Sequence, residues 1–134
     1  MDMRDNNGTA LMVETITAWN PATELFDTII DKHYLDNRYN RLIDFVYTAE
    51  EPGFNIYINT DTEGRFFSDR FYVDSCVNDV YESNYLENEQ DVIDWLKETF
   101  KEIPDFTTLK EFECCKSVIL GEDDYINIHE FEVE

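Results

Sequence analysis

The stretch Asn88–Ile103, NEQDVIDWLKETFKEI, reads as an amphipathic helix, and it decides how the rest of the chain is parsed. Asn88 suits the N-cap, where a side-chain oxygen accepts from an otherwise unpaired backbone N–H. Glu89 and Asp91 follow at the positive end of the helix dipole, and Lys97 and Lys101 fall toward the negative end. Ile93, Leu96, Phe100 and Ile103 recur every three or four residues and make one apolar stripe, and Pro104 stops the pattern. A helix with one apolar face needs a partner layer, and the flanking sequence supplies strands.

Upstream, Arg41–Ala49 carries Ile43, Phe45 and Tyr47 alternating about Asp44. In Phe54–Thr60, Phe54, Ile56 and Ile58 share one face, and Asn55, Tyr57 and Asn59 the other. Arg65–Asp74 is aromatic and β-prone. The connectors Glu50-Glu51-Pro52-Gly53 and Asp61-Thr62-Glu63-Gly64 have turn chemistry, so these runs predict a three-stranded antiparallel meander. Downstream, Phe112, Cys114, Val118 and Leu120 alternate as a strand, Gly121–Asp124 turns, and Ile126–Glu134 returns as a last strand. Near the N-terminus, Asn20 as cap and Pro21 at the first helical position open a helix over about 21–34, with Leu25, Phe26, Ile29, Ile30 and His33 at helical spacing. Leu11–Trp19 fits either a helix or a strand, and residues 1–8 read as a flexible arm. The expected fold is α+β: one domain over 9–134, in the order α-β-β-β-α-β-β, with two or three helices on a mainly antiparallel sheet.

With 43% hydrophobic and 15% aromatic residues in 134, the chain has material for a core, and intrinsic disorder is a poor reading despite the charge. That charge is the outlying quantity. Thirty-one acidic and 10 basic side chains give −21, where solubility is satisfied by a magnitude of roughly 2–8. The acids also cluster. Asp74, Asp79, Glu82, Glu87, Glu89, Asp91 and Asp94 fall between Phe71 and Leu96 with no lysine or arginine among them. Glu122, Asp123, Asp124, Glu130, Glu132 and Glu134 occupy a tail that is equally free of bases. On a single strand, Glu130, Glu132 and Glu134 would share a face at a spacing of about 6.6 Å. The plain alternative is a halophilic or merely very soluble surface, which three cysteines and many large aromatics fit poorly.

No catalytic, cofactor or metal site is expected. Asn59, Asp61, Glu63 and Gly64 resemble the start of a calcium loop, but Arg70 stands where the bidentate glutamate belongs. His33 and His129 are the only histidines, and neither CxxC nor HxxxH occurs, so a structural zinc lacks its ligands. If Cys114 and Cys115 lie on a strand, they point to opposite faces and cannot easily clamp one metal. Phosphate-cradling glycine motifs and the GxSxG elbow are absent. Carboxylate pairs are uninformative in a chain with 31 of them. The aromatics Phe66, Phe67, Phe71, Tyr72, Tyr81 and Tyr85 could stack bases, but without a basic groove direct nucleic-acid binding would meet like-charge repulsion, and core packing is their expected role. An odd number of cysteines, no signal-peptide pattern and no apolar run of 18 residues together predict a reduced, cytoplasmic protein without a membrane partner.

With acidic runs at 74–94 and 122–134 on a small α+β domain, the chain resembles in charge and size the acidic inhibitors that phages and mobile elements direct at host nucleases. These are the anti-CRISPR and anti-restriction DNA mimics. The resemblance implies a monomeric or homodimeric, non-enzymatic inhibitor whose carboxylates replace phosphates in the basic channel of a nucleic-acid-processing protein, such as a Cas effector or a restriction enzyme. An immunity protein or antitoxin that neutralises a basic cognate nuclease is the alternative from another class.

Overall fold

The computed structural model describes residues 46–133 continuously and, before them, Asp2–Asp5, Thr9–Met12, Glu14, Ile16, Glu24, Leu25 and Thr28. The chain forms two units, Met1–Asp44 and Phe45–Glu134. In the first, β1 (Asp2–Asp5) pairs antiparallel with β2 (Thr9–Met12). Residues 2–5 are therefore a strand where a flexible arm was expected. Glu24, Leu25 and Thr28 are helical, and the Thr28 hydroxyl donates to the Glu24 carbonyl at 2.8 Å. The rest of the helix predicted over 21–34, with its Asn20 cap and His33, lies outside the described residues.

The second unit is α+β. A three-stranded antiparallel sheet has the order β6-β5-β7, with β5 (Phe71–Val77) in the middle, β6 (Val80–Leu86) on one side and β7 (Tyr125–Glu130) on the other. Two helices, α1 (Glu89–Thr99) and α2 (Leu109–Ile119), cover one face of it. Val73 and Ile126 from the sheet meet Val92, Ile93 and Leu96 of α1, Phe112 of α2, and Phe106 from the connection between the helices. All seven are at most 3% exposed, so this interface is the core. The Asn88 cap forms as the sequence predicts, with Asn88 Oδ1 accepting from the Asp91 N–H at 2.9 Å, and Ile93 and Leu96 of the stripe are buried. The helix stops at Thr99, so Phe100 and Ile103 pack against the core from beyond its end, and Val92 joins the buried face.

A second sheet has the order β3-β4-β8, from β3 (Thr48–Glu51), β4 (Ile56–Asn59) and β8 (Glu132–Val133). β3 and β4 form an antiparallel hairpin across a short 3-10 turn, Pro52–Phe54, while β8 joins β4 in parallel. The predicted meander is thus corrected. Residues 65–70 are not strand, and β5 pairs with β6 and β7 rather than with β4. Residues 41–45 of the first predicted strand lie outside the described residues.

Two further elements depart from the sequence reading. Residues 109–119 are a helix, not a strand. The Thr108 hydroxyl accepts from the Glu111 N–H at 3.2 Å, and the Glu111 carboxylate reaches back to the Thr107 N–H at 2.8 Å, capping the first turn from both sides. Phe112 is fully buried and Val118 is 85% exposed, so the alternation through 112, 114, 118 and 120 is a coincidence of composition. Cys114 and Cys115 are neighbours on a helix, the first exposed and the second half-buried. β6 was not anticipated at all. It follows a two-residue turn in which Asn78 and Asp79 both have positive φ, 53° and 64°, the backbone a tight hairpin of this hand requires.

No helix among the described residues is long and apolar enough to cross a membrane.

Candidate functional site

The face of the β6-β5-β7 sheet opposite the helices is aromatic and polar. Register places Tyr72 between Tyr85 and His129, Asp74 between Ser83 and Asn127, and Cys76 between Tyr81 and Tyr125. One end of this face is closed by the hairpin sheet. Tyr57 of β4 stacks on His129 with ring centroids 4.5 Å apart and on Tyr72 at 6.0 Å, while Phe131 meets Tyr57 edge-on at 5.6 Å. Tyr72 lies 4.7 Å from Tyr85, whose hydroxyl donates to Glu50 of β3 at 2.9 Å. The remainder is open: Tyr81 is 76% exposed and Tyr125 37%.

His129 ties the two sheets together. Its Nε2 lies 2.7 Å from Asp74 Oδ1 and its Nδ1 2.8 Å from Asn55 Oδ1. An imidazolium donates both bonds; a neutral ring needs the Asn55 amide turned to present its NH2. Either way both ring nitrogens are engaged, and the His129–Asp74 and His129–Asn55 contacts clasp the two sheets. The phenols of Tyr57 and Tyr85 are shifted up. Burial first, then the negative charge of Asp74 and Glu50, push Tyr57 up to about 12. Burial and the bond to Glu50 push Tyr85 up as well.

The loop that resembled a calcium site uses its carboxylate internally. Asp61, 3% exposed, accepts from the N–H groups of Phe66 at 2.6 Å and Phe67 at 2.9 Å. Burial pushes its carboxyl up, but the backbone N–H groups of residues 64–67 outweigh it and hold the group below the usual carboxylate range. Gly64, at φ 66°, closes the turn, and the Arg70 guanidinium donates to the Asp61 carbonyl at 2.6 Å. Asn59 beneath the loop accepts from the Asp61 N–H and donates to the carbonyls of Phe67 and Asp69. Among the described residues no three potential ligands gather to hold a metal ion.

The predicted acidic residues divide into two groups. Several are bound by their own chain. Asp74 accepts from Asn127 at 3.4 Å besides its contact with His129. Glu87 accepts from the Ser68 hydroxyl, Glu89 from the Leu109 N–H at the start of α2, Asp91 from the Asn88 amide, and Asp94 from Gln90. Asp124 accepts from the N–H groups of Asn78 and Gly121. The others, Asp79, Glu82, Glu122, Asp123, Glu130 and Glu132, are exposed. The turns at 78–79 and 121–124 meet through Asp124, which brings Asp79, Glu122 and Asp123 to one end of the sheet. The even row expected along the tail does not form. Glu130 ends β7 and Glu132 opens β8, strands of different sheets, because Phe131 between them is 4% exposed and its N–H donates to the Arg70 carbonyl. Glu134 lies outside the described residues.

Core packing was expected of the tyrosines, but Tyr81 is 76% and Tyr85 44% exposed, and the place of His129 between the sheets was not anticipated. The signal was present in β6: Tyr81 and Tyr85 stand at i and i+4 in a run of period 2, which puts them on one face. Comparisons with family models, with curated proteins and with solved structures return no significant match to this chain.

Proposed function

We propose that the protein is a stoichiometric inhibitor that binds a basic nucleic-acid-processing protein of a host defence system and occupies the surface that would hold nucleic acid. The observation that carries this reading is the open sheet face, where tyrosine rings and the Asp74 carboxylate stand together on three strands whose residues, 71–86 and 125–130, include no lysine or arginine. Tyrosine is among the side chains that dominate protein interfaces, since a rigid ring buries a large area at small entropic cost. A carboxylate beside the rings favours a cationic partner and disfavours nucleic acid itself. With His129 bonded at both nitrogens and Asp61 sealed by amides, binding fits the arrangement better than catalysis. The exposed acids at 79, 82, 122, 123, 130 and 132 would extend the negative field around this face and speed association with a basic surface.

Capture from host lysate at low salt, followed by salt-gradient elution, tests the reading. The expected result is a basic nuclease or nuclease subunit whose release steepens with ionic strength, as at a phosphate-contacting interface. DNA or guide RNA should compete for it. A partner that binds saturating nucleic acid and this protein at once would refute occupation of the channel.

A further inference from the structure

The open half of the tyrosine face contains a depression of about 300 Å³ lined by Tyr72, Asp74, Tyr81, Glu82, Ser83 and Tyr125. That is the bottom of the roughly 300–1,000 Å³ range of small-molecule clefts, and it suits one long side chain better than a metabolite. Tyr81 and Tyr125 stand on the two outer strands, both opposite Cys76 of the central strand, so their backbones are roughly 9–10 Å apart across it. Cys76 between them is small and buried. Asp74 opens into the same depression with its side chain 29% exposed. Its Oδ1 is used by His129 at 2.7 Å and its Oδ2 by Asn127 at 3.4 Å, and each carboxylate oxygen offers two acceptor positions, so capacity remains on both. Burial first, then the charge of Asp74, push the Tyr125 phenol up.

We propose that this depression receives a single arginine side chain of the protein partner, its guanidinium stacked on the tyrosine rings and donating to Asp74. The choice of arginine over lysine follows from shape. A planar, weakly hydrated guanidinium can lie on an aromatic face and still present an N–H fork to a carboxylate, whereas a strongly hydrated ammonium loses more on entering a partly apolar cup. The occupant is identified by charge complementarity: the Asp74 carboxylate and three phenols face the depression, and none of the three strands carries a lysine or arginine. The inference deepens the proposed function and rests on it for the source of the arginine, though not for the chemistry of the cup.

Titrating isotope-labelled protein with acetyl-arginine-amide, acetyl-lysine-amide and the uncharged isostere acetyl-citrulline-amide, followed by amide NMR, tests it. Saturable shifts at Tyr81, Ser83, Tyr125 and Asn127 are expected with the arginine probe, weaker ones with lysine and none with citrulline. Tyr81→Ala, on an exposed edge-strand side chain, should weaken the arginine probe about three- to fivefold, the worth of one exposed cation–π contact. Asp74→Asn should remove most of the binding, while Glu98→Gln on α1 should leave it unchanged. Equal shifts with lysine and arginine, shifts spread evenly over the acidic surface, or indifference to Tyr81→Ala would overturn the proposal. The two readings fail separately. A basic partner captured equally well by Tyr81→Ala protein would remove the arginine anchor alone. Arginine bound in the cup with no basic partner in any lysate would remove the inhibitor reading alone.

Discussion

Replacing Phe112 by alanine should destabilise the second unit by about 3–5 kcal/mol, the usual cost of deleting a buried aromatic ring. The structure puts the residue at the demanding end of that range. Its side chain has no exposure, and its ring lies 5.1 Å from that of Phe106, itself 3% exposed, so the void would be walled by rigid neighbours that collapse poorly. A unit of about 90 residues has roughly 4.5–13.5 kcal/mol of total stability at 0.05–0.15 kcal/mol per residue, so one substitution removes a third or more of it. The companion variant is Val118→Asp, six positions along the same element and 85% exposed. On a helix it should change stability by no more than about 0.5 kcal/mol. On a strand, Val118 would share a face with Phe112, and the aspartate would cost about as much as the lost ring. Urea titration followed by far-UV circular dichroism reads both: a lowered midpoint at unchanged slope for Phe112→Ala, and no movement for Val118→Asp. A loss above about 2 kcal/mol at Val118, or below about 1 kcal/mol at Phe112, would refute the helix and its packing on the sheet.

Raising NaCl from about 0.05 to 0.5 M should raise the urea midpoint, because screening relieves the self-repulsion of a chain at −21; an unchanged or lowered midpoint would show the charges already compensated. Asp61 has its carboxyl held below the ordinary value in the folded state, so its contribution is present above the unfolded pKa of about 3.9 and lost as pH falls through the lower folded one. Asp61→Asn should therefore lower stability at pH 6 and shrink the gap between pH 6 and pH 3 midpoints; an unaltered gap would mean the amide cluster does not act on that charge. Millimolar calcium should leave the amide resonances of residues 59–70 unmoved and EDTA should leave the melting point unchanged, since the Asp61 oxygen that would face a metal already accepts two N–H groups; a saturable calcium shift there would reverse that reading.

The fold class and α1 were legible because their signals are local. A cap, a charge gradient and a stripe of period 3.6 all lie within sixteen residues of sequence. The β3–β4 hairpin was legible from its Pro-Gly connector for the same reason. What the sequence hid was pairing. β4 is buried on its Tyr57 and Asn59 side, because a stacked ring and an amide bonded to three backbone groups satisfy an interior that polarity alone would place outside. α2 was hidden because eleven residues with scattered apolar positions fit periods of 2 and 3.6 equally, and its Thr108–Glu111 cap was the deciding mark. The tail was read as one strand, but Phe131 turns it from one sheet into the other. Of the acidic residues, types and clusters were legible; which of them the chain binds for itself depends on contacts between elements far apart in sequence.

The place of β5 at the centre of its sheet has a consequence for how the chain is made. β5 takes β6 at once, through a two-residue turn, but its other edge is completed by β7, roughly fifty residues further on with both helices in between. At about 5–20 residues per second the ribosome needs roughly 2.5–10 s to deliver that stretch. For that interval the nascent chain carries a finished hairpin with one bare edge along Phe71–Val77, a template for pairing with any other nascent chain nearby. Asp74 stands in the middle of that edge strand, and Glu82 on its partner, with no cation on either to neutralise them. Two such hairpins approaching edge to edge would bring like charges together before any backbone bond could form. The same charge that favours a basic partner in the finished protein would then keep unfinished copies apart on a polysome, and Asp74→Asn with Glu82→Gln should show it as aggregation during translation that is absent on refolding at low concentration.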